Sequence, residues 1–586
     1  MAKRLTSPYD RSVDYAELAG SVASLSPFLA VTASGRSTLD FQDEAAVRSS
    51  RRALNGALLK RDFDLDVETP SDRLCPSVRR PMKVDSKSFP HRFPRAGSTT
   101  CFIVSNSFDK HGARERSEPF PKSKQDSMCA SAIYPLLAVR YAASRAPQDF
   151  ANLRMLATDI NEKSLAIAKS NAERNGLAEA ISVHRVEPDG PIFPPAVVDS
   201  ASHHVASIEF TMCNPPFYGS AEEIASLEAG KASLPFAICT GADNEMVTPG
   251  GEVAFVSRMI RETRTLGRSR IKWFTSLLGK YSSIAPLIDE LKSCKILNYH
   301  VSALPMRGHT TRWVLSWSIQ DWRVPPFLIK DTIAREGVSP TTAGPSFPLK
   351  RFLSPATAPL VFVPTTGPRR TADDNAVRDR VTDALRNALH ELVQVGEQAA
   401  EGRDFEWSDE PTGGGSGGGG VAQPDRTFRV TASRNVWSRK ARRVAALADA
   451  AAPKPELSQE QVEQAPASGV TKDPPPPQQS PMLDLRIEIW TTTARETESS
   501  EARDGPASSA SSSIRLEGWW IRGLDQERSA LEGLWGFLTR RIGDAVREQE
   551  VGAEGVEGKG EAGGGGGEME GGGGGAVGSR RKRRKL

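Results

Sequence analysis

The stretch Ser207-Ile208-Glu209-Phe210-Thr211-Met212-Cys213-Asn214-Pro215-Pro216-Phe217-Tyr218 alternates apolar Ile208, Phe210 and Met212 with more polar neighbours. That two-residue period is the mark of a β-strand. Pro215 and Pro216 then stop the ladder, because neither can donate a main-chain hydrogen bond. Asn214 is thereby held at the carboxyl end of a strand, the end at which open α/β sheets bind ligands.

Asn-Pro-Pro-Phe has the chemistry to hold a planar amine. The Asn214 side-chain oxygen can accept one N–H, and the Pro215 carbonyl, pre-aimed by the fixed φ of proline, can accept another. Phe217 offers a flat face for stacking a base. A Pro-Pro pair alone would mean only a strand end. The four residues after an apolar strand point to methyl transfer to nitrogen, with Asn214, Pro215, Pro216 and Phe217 as the catalytic set.

Upstream, the same rhythm repeats. Ala132–Ala143 is a predicted helix and Leu153–Asp159 a strand ending on a carboxylate. Asn161 can cap a helix running through Leu165, Ala168 and Ala172, and Asn175-Gly176 can end it. Ile181–Val186 is a further strand. Strand and helix alternation implies a parallel sheet, hence an α/β, Rossmann-like fold. In that fold an acid ending the second strand can accept the ribose hydroxyls of an adenosine cofactor, so Asp159 joins Asn214 as a cofactor-side candidate.

The chain of 586 residues divides by composition. Residues 1–78 read as an N-terminal RNA-binding lead-in with a helix over Asp43–Phe63: Val47, Leu54 and Leu58 line one side and Arg48, Arg51 and Arg52 another. Arg48 and Arg52 are candidates for tracking a phosphate backbone. Residues 79–127 read as an irregular insert, and 128–325 as the methyltransferase domain. An accessory segment over 326–410, a glycine-rich linker over 411–427 and a C-terminal accessory α+β region with disordered insertions over 428–546 follow. The 547–586 tail is glycine-rich and ends Arg580-Arg581-Lys582-Arg583-Arg584-Lys585, a nuclear-localisation run.

Charge is balanced overall, at +4, so a nucleic-acid surface has to be local. Residues 251–330 hold 13 Lys and Arg against five Asp and Glu, a net of +8, interleaved with tryptophans. Lys280, Arg307, His309, Arg312 and Trp313 are the RNA-binding candidates there, by charge and stacking. The six cysteines are scattered, with no Cys-x-x-Cys pair, so no structural zinc and no other metal site is expected. No apolar run approaches a membrane span, and a soluble, intracellular protein without membrane contact is the expectation.

Several segments, in one order, resemble the U6 small nuclear RNA adenine-N6 methyltransferases and, more distantly, the bacterial ribosomal RNA large-subunit adenine-N6 methyltransferases. They are Leu39-Asp40-Phe41 through Pro76, Ala130-Ser131-Ala132-Ile133-Tyr134-Pro135-Leu136-Leu137, Leu156–Asp159, Cys213–Phe217, Trp273–Lys280 and Thr311–Ser318. The resemblance implies an S-adenosylmethionine-dependent enzyme acting on adenine in structured RNA such as U6, in the nucleus. It also implies a Gly-x-Asp-x-Gly-Thr-Gly strand and loop just before Ala130. Here Lys124–Cys129 stand there, so the expectation is that the first apolar strand and its glycines are both missing, as a misassigned exon boundary would leave them. Ser127 falls in the aligned turn, Arg80 lies near the place of a cofactor-contacting arginine, and Gly190 is a further cofactor-side candidate. Two other readings stay open: an RNA-binding protein with an impaired methyltransferase domain, and a methyltransferase for protein glutamine.

Overall fold

The structure, a computed structural model, describes residues 14–32, 35, 37–39, 44–68, 100–104, 132–145, 153–187, 190–202, 208–220, 222–223, 226, 247–267, 270–305, 311–334, 348–364, 374–399, 404–410, 424–451, 481–492 and 513–557. The first described helix is α1 (Tyr15–Ser21), capped by the Asp14 carboxylate, which accepts from the Ala16 and Glu17 N–H groups. A two-stranded ladder of β1 (Leu29–Val31) and β2 (Ser37–Leu39) and helix α2 (Glu44–Phe63) complete this unit. Leu54 and Leu58 are buried on α2 as their spacing predicts, against Leu18 and Leu25.

Seven strands form the main sheet: β3 (Thr100–Val104), β4 (Arg154–Asp159), β5 (Ile181–Arg185), β6 (Ile208–Cys213), β7 (Ile271–Leu278), β8 (Tyr299–Pro305) and β9 (Thr311–Trp317). Their spatial order is β5-β4-β3-β6-β7-β9-β8. β3 to β7 pair in parallel, and β9 and β8 close one edge antiparallel. The chain moves outward from β3 to β4 and β5, then returns to place β6 on the other side of β3. That reversal creates the crevice in which α/β sheets bind ligands.

β3 corrects the sequence reading. The first strand is not missing: Thr100–Val104, inside the stretch read as irregular, is the central strand, hydrogen-bonded to β4 on one side and β6 on the other. Five residues set among Ser, Pro and Lys carry too little period to be read alone, and nonlocal pairing on both edges decides the matter.

Helices cover both faces. α3 (Ile133–Arg145) and α4 (Glu162–Arg174) lie on one, where Leu136, Val139, Ala168 and Ala172 share a core with Met155, Met212 and the N-terminal unit. After α5 (Pro195–Ser202), α6 (Gly251–Leu266) and α7 (Ile284–Ser293) lie on the other, where Phe255, Met259 and Leu287 pack on Leu156, Cys213 and Phe274. Adjacent strand residues such as Met155 and Leu156 fall in different cores, as the pleat requires. Asn161 caps α4 as expected, accepting from the Lys163 and Ser164 N–H groups.

Past α8 (Pro326–Ala334), the accessory segment and the C-terminal region are one unit rather than two. β10 (Leu360–Phe362) and β11 (Phe405–Glu410) from before the linker join β12 (Arg426–Ala432), β13 (Leu483–Thr492) and β14 (Ser513–Arg522) in an antiparallel sheet ordered β10-β14-β13-β12-β11. α9 (Asp374–Ala399), α10 (Arg439–Ala451) and α11 (Arg528–Glu557) accompany it, and Leu385, Leu389, Leu534 and Leu538 share its core with Leu485 and Ile487. The two sheets meet at residues 321–330. Arg323 donates its N–H to the Ile521 carbonyl and its guanidinium to the Gly523 carbonyl and Asp525, and Lys330 pairs with Glu488 at 2.6 Å. Among the described residues no helix is long and apolar enough to cross a membrane, and no cluster of His, Cys, Asp or Glu could hold a metal ion.

Candidate active site

Thr158 of β4, Val104 of β3 and Cys213 of β6 stand in one row of the parallel ladder. Asp159 and Asn214 are each the next residue along. A carboxylate and an amide therefore end two strands on either side of β3, about 10 Å apart at the usual strand spacing. Asp159 is fully buried and accepts the Asn161 N–H at 2.8 Å, a turn that holds the carboxylate at the head of α4. The neighbouring Cys213 thiol is pushed up to about 12 by burial and is no nucleophile at neutral pH.

Pro215 and Pro216 are buried, while Asn214 and Phe217 are half-buried. Beyond them the chain packs on the start of α6. The Tyr218 carbonyl accepts from the Thr248 N–H at 2.9 Å. Gly251 has φ +63°, and a Cβ there would lie 3.3 Å from the Gly219 nitrogen and 3.5 Å from the Phe217 oxygen. Glycine alone permits both that backbone and that approach.

The turn after β7 covers the Phe217 ring. A Cβ on Gly279 would sit 2.8 Å from Phe217 Cδ1. The Arg312 guanidinium lies 5.4 Å from the Phe217 ring centroid and donates to the Gly279 carbonyl at 2.9 Å. Lys280 lies 5.4 Å from the Tyr218 ring centroid and pairs with Glu223, whose carboxylate also accepts the Gly219 N–H at 2.7 Å. The Lys280 bond, then the Gly219 bond, holds the Glu223 carboxyl below its ordinary range. Glu252 accepts from the Gly279 and Lys280 N–H groups and the Ser283 hydroxyl. Burial nonetheless raises its carboxyl above the usual range, against the pull of those three bonds.

The structure thus brings Asn214, Pro215, Pro216, Phe217, Lys280 and Arg312 to one end of the sheet, with Asp159 in the same row. Trp313 is a correction. It is 4% exposed and packs near Tyr281, because the register of β9 turns it into the core, so it has no face to offer RNA. Much of the basic excess of 251–330 is compensated in space by acids from elsewhere: Lys272 by Glu209, Lys280 by Glu223, Arg323 by Asp525 and Lys330 by Glu488. The Gly190 carbonyl accepts from Arg258, tying the segment after β5 to α6. Arg80, Ser127, Arg307 and His309 lie outside the described residues, as do the side chains of Arg48 and Arg52 on α2. Glu223, Glu252 and Gly279 escaped the sequence reading. Gly250-Gly251 before a helix was the available signal, since paired glycines mark a close approach.

Residues 5–87 and 122–321 match the profile of a family described as RNA methyltransferase. The U6 small nuclear RNA (adenine-(43)-N(6))-methyltransferase of Schizosaccharomyces pombe is 31% identical over 292 residues, 50% of this chain and 65% of that protein. An RNA N(6)-adenosine-methyltransferase of Danio rerio is 31% identical over 314 residues, 53% of this chain and 58% of that protein. The chain therefore spans less than two thirds of either relative. A crystal structure of the hMettl16 catalytic domain in complex with MAT2A 3′UTR hairpin 1 aligns with TM-score 0.42 and 26% identity, over 54% of this chain and 94% of that one. Residues 5–87 and 122–321, just under half of the chain, are thus similar to a family described as RNA methyltransferase and, over part of their length, to the U6 small nuclear RNA (adenine-(43)-N(6))-methyltransferase of Schizosaccharomyces pombe.

Proposed function

We propose that this protein methylates the exocyclic amine of an unpaired or flipped adenine in a structured RNA, U6 small nuclear RNA being the first candidate, with S-adenosylmethionine as methyl donor. The observation that carries the reading is the shared row of Asp159 and Asn214 across the central strand at the point where the strand order reverses. The donor set fits the cofactor: a strand-end carboxylate suits a ribose diol, and Asp159 would hold it. When bound, that cofactor supplies an electrophilic methyl group. Asn214 and the Pro215 carbonyl accept the two amine N–H groups and fix the direction of the nitrogen lone pair. Phe217 stacks on the base, and Arg312 and Lys280 beside it meet the phosphates. The amine is scarcely basic, so alignment by fixed acceptors does most of the catalysis. The terminal basic run carries the protein to the nucleus, where such an RNA resides.

Asn214→Ala removes one acceptor and should lower methylation of a U6-derived RNA by roughly 100-fold or more, with RNA affinity nearly unchanged. Near wild-type turnover in the variant would remove Asn214 from the chemistry. One observation favours a second reading, an RNA-binding protein with impaired turnover. Although β3 is present, Val104 is followed by Ser105-Asn106-Ser107 and not by the glycines that allow close approach to a cofactor. Calorimetric titration of the full chain with S-adenosylmethionine separates the two readings, since only the enzyme must bind it.

A further inference from the structure

Glu252 takes no part in the chemistry proposed above, yet it is 1% exposed beside Phe217. A carboxylate so buried is stable only when its oxygens are well satisfied. Three donors do this: the Gly279 N–H at 2.6 Å, the Lys280 N–H at 3.0 Å and the Ser283 hydroxyl at 2.6 Å. The first turn of α6, which carries Glu252, adds the positive end of a helix. All three donors lie on one turn, and that turn bears on the Phe217 ring. Gly279 faces Cδ1 and Cε1, and its carbonyl fixes Arg312 near the ring. The preceding residue, Gly251, meets the Phe217 and Tyr218 backbone. Gly251 and Glu252 together therefore hold Phe217 from both its backbone and its ring side.

The geometry points to Glu252 as a positioning residue for base recognition: it clamps the 279–283 turn so that the Phe217 ring is kept in the plane on which the target adenine stacks. This rests on the reading of Phe217 as the stacking face. The probe is an RNA stem-loop with one unpaired 2-aminopurine, whose fluorescence is quenched by stacking, bound to the full chain without cofactor. Glu252→Gln keeps the volume but turns an amide NH₂ toward a backbone donor. It should lower the stacking equilibrium roughly tenfold, with filter-binding affinity for the same RNA and the melting temperature held near wild type. Gly279→Ala puts a Cβ 2.8 Å from Phe217 Cδ1 and 3.3 Å from Glu252 Oε2, crowding both the ring and the clamp, and should give the same loss. Phe217→Leu should abolish the quenching, and Glu252→Gln added to it should change nothing further, because the two act through one ring.

Unchanged quenching in Phe217→Leu overturns the stacking reading itself. Lost quenching in Phe217→Leu with wild-type quenching in Glu252→Gln overturns the positioning role alone. Should Glu252→Gln unfold, Ser283→Ala, which removes one donor to the Glu252 carboxylate and does not touch Phe217, decides in the same two directions.

Discussion

Asn214, Pro215 and Phe217 are legible in one dimension because their chemistry is local: strand, stop and ring follow one another along the chain. Glu252 is not, since the donors that define it lie 27 to 31 residues away. His300 is a second residue whose meaning is purely spatial. It is buried, and the loss of hydration pulls its imidazole from 6.5 down to about 4, with Asp331 opposing weakly. The folded state therefore binds this proton less readily than the unfolded chain, in which the pKa is near 6.5. Stability from this group is complete above about pH 6.5, falls as pH drops from there toward 4, and falls no further below 4. The full loss amounts to about 3 kcal/mol. Urea unfolding of the wild type at a series of pH values should show this slope, and His300→Gln should flatten it. Parallel curves for the two proteins would place the acid sensitivity elsewhere.

At the scale of elements, helix α4 was readable down to its caps because Asn161 and Asn175 are local signals. What α4 does for its neighbour was not. Asn171 accepts the Glu68 N–H at 2.8 Å and donates to the Glu68 carbonyl at 2.9 Å, and Asn175 does the same for Asp66 at 2.8 and 2.7 Å. Two side-chain amides one turn apart thus act as a strand partner for the segment leaving α2. Asn171→Ala strands both polar groups of Glu68 and should destabilise this docking by about 1–3 kcal/mol. Hydrogen exchange should then quicken at Asp66 and Glu68 while α4 stays protected. Unchanged exchange there would mean that apolar contacts such as Leu65 suffice.

For the whole molecule, the joint between the sheets decides whether they behave as one body. Arg323 has a side chain 1% exposed, lies 3.7 Å from the Trp520 ring centroid and pairs with Asp525. Truncating Arg323 leaves the Gly523 carbonyl without its donor and the Trp520 ring without its cation, while Asp525, 26% exposed, keeps the Leu297 N–H; the loss is about 1–3 kcal/mol. Arg323→Ala should therefore split the calorimetric unfolding of the full chain into separate transitions for the two sheets. A single transition at the wild-type temperature would show that the joint is held by the other contacts, Lys330 with Glu488 among them.

Legible in the residues alone were the alternating α/β pattern, the strand-ending Asp159, the Asn-Pro-Pro-Phe stop and the elements that lead up to it, because hydrophobic period, caps and prolines act over a few residues. It took the folded chain to show that Thr100–Val104 is the central strand, that residues on either side of a glycine linker build one sheet, and that Trp313 faces inward. It alone revealed that much of the basic excess of 251–330 is met by acids from distant segments. Pairing, register and charge compensation are made between residues far apart in the chain, so they carry no local signal.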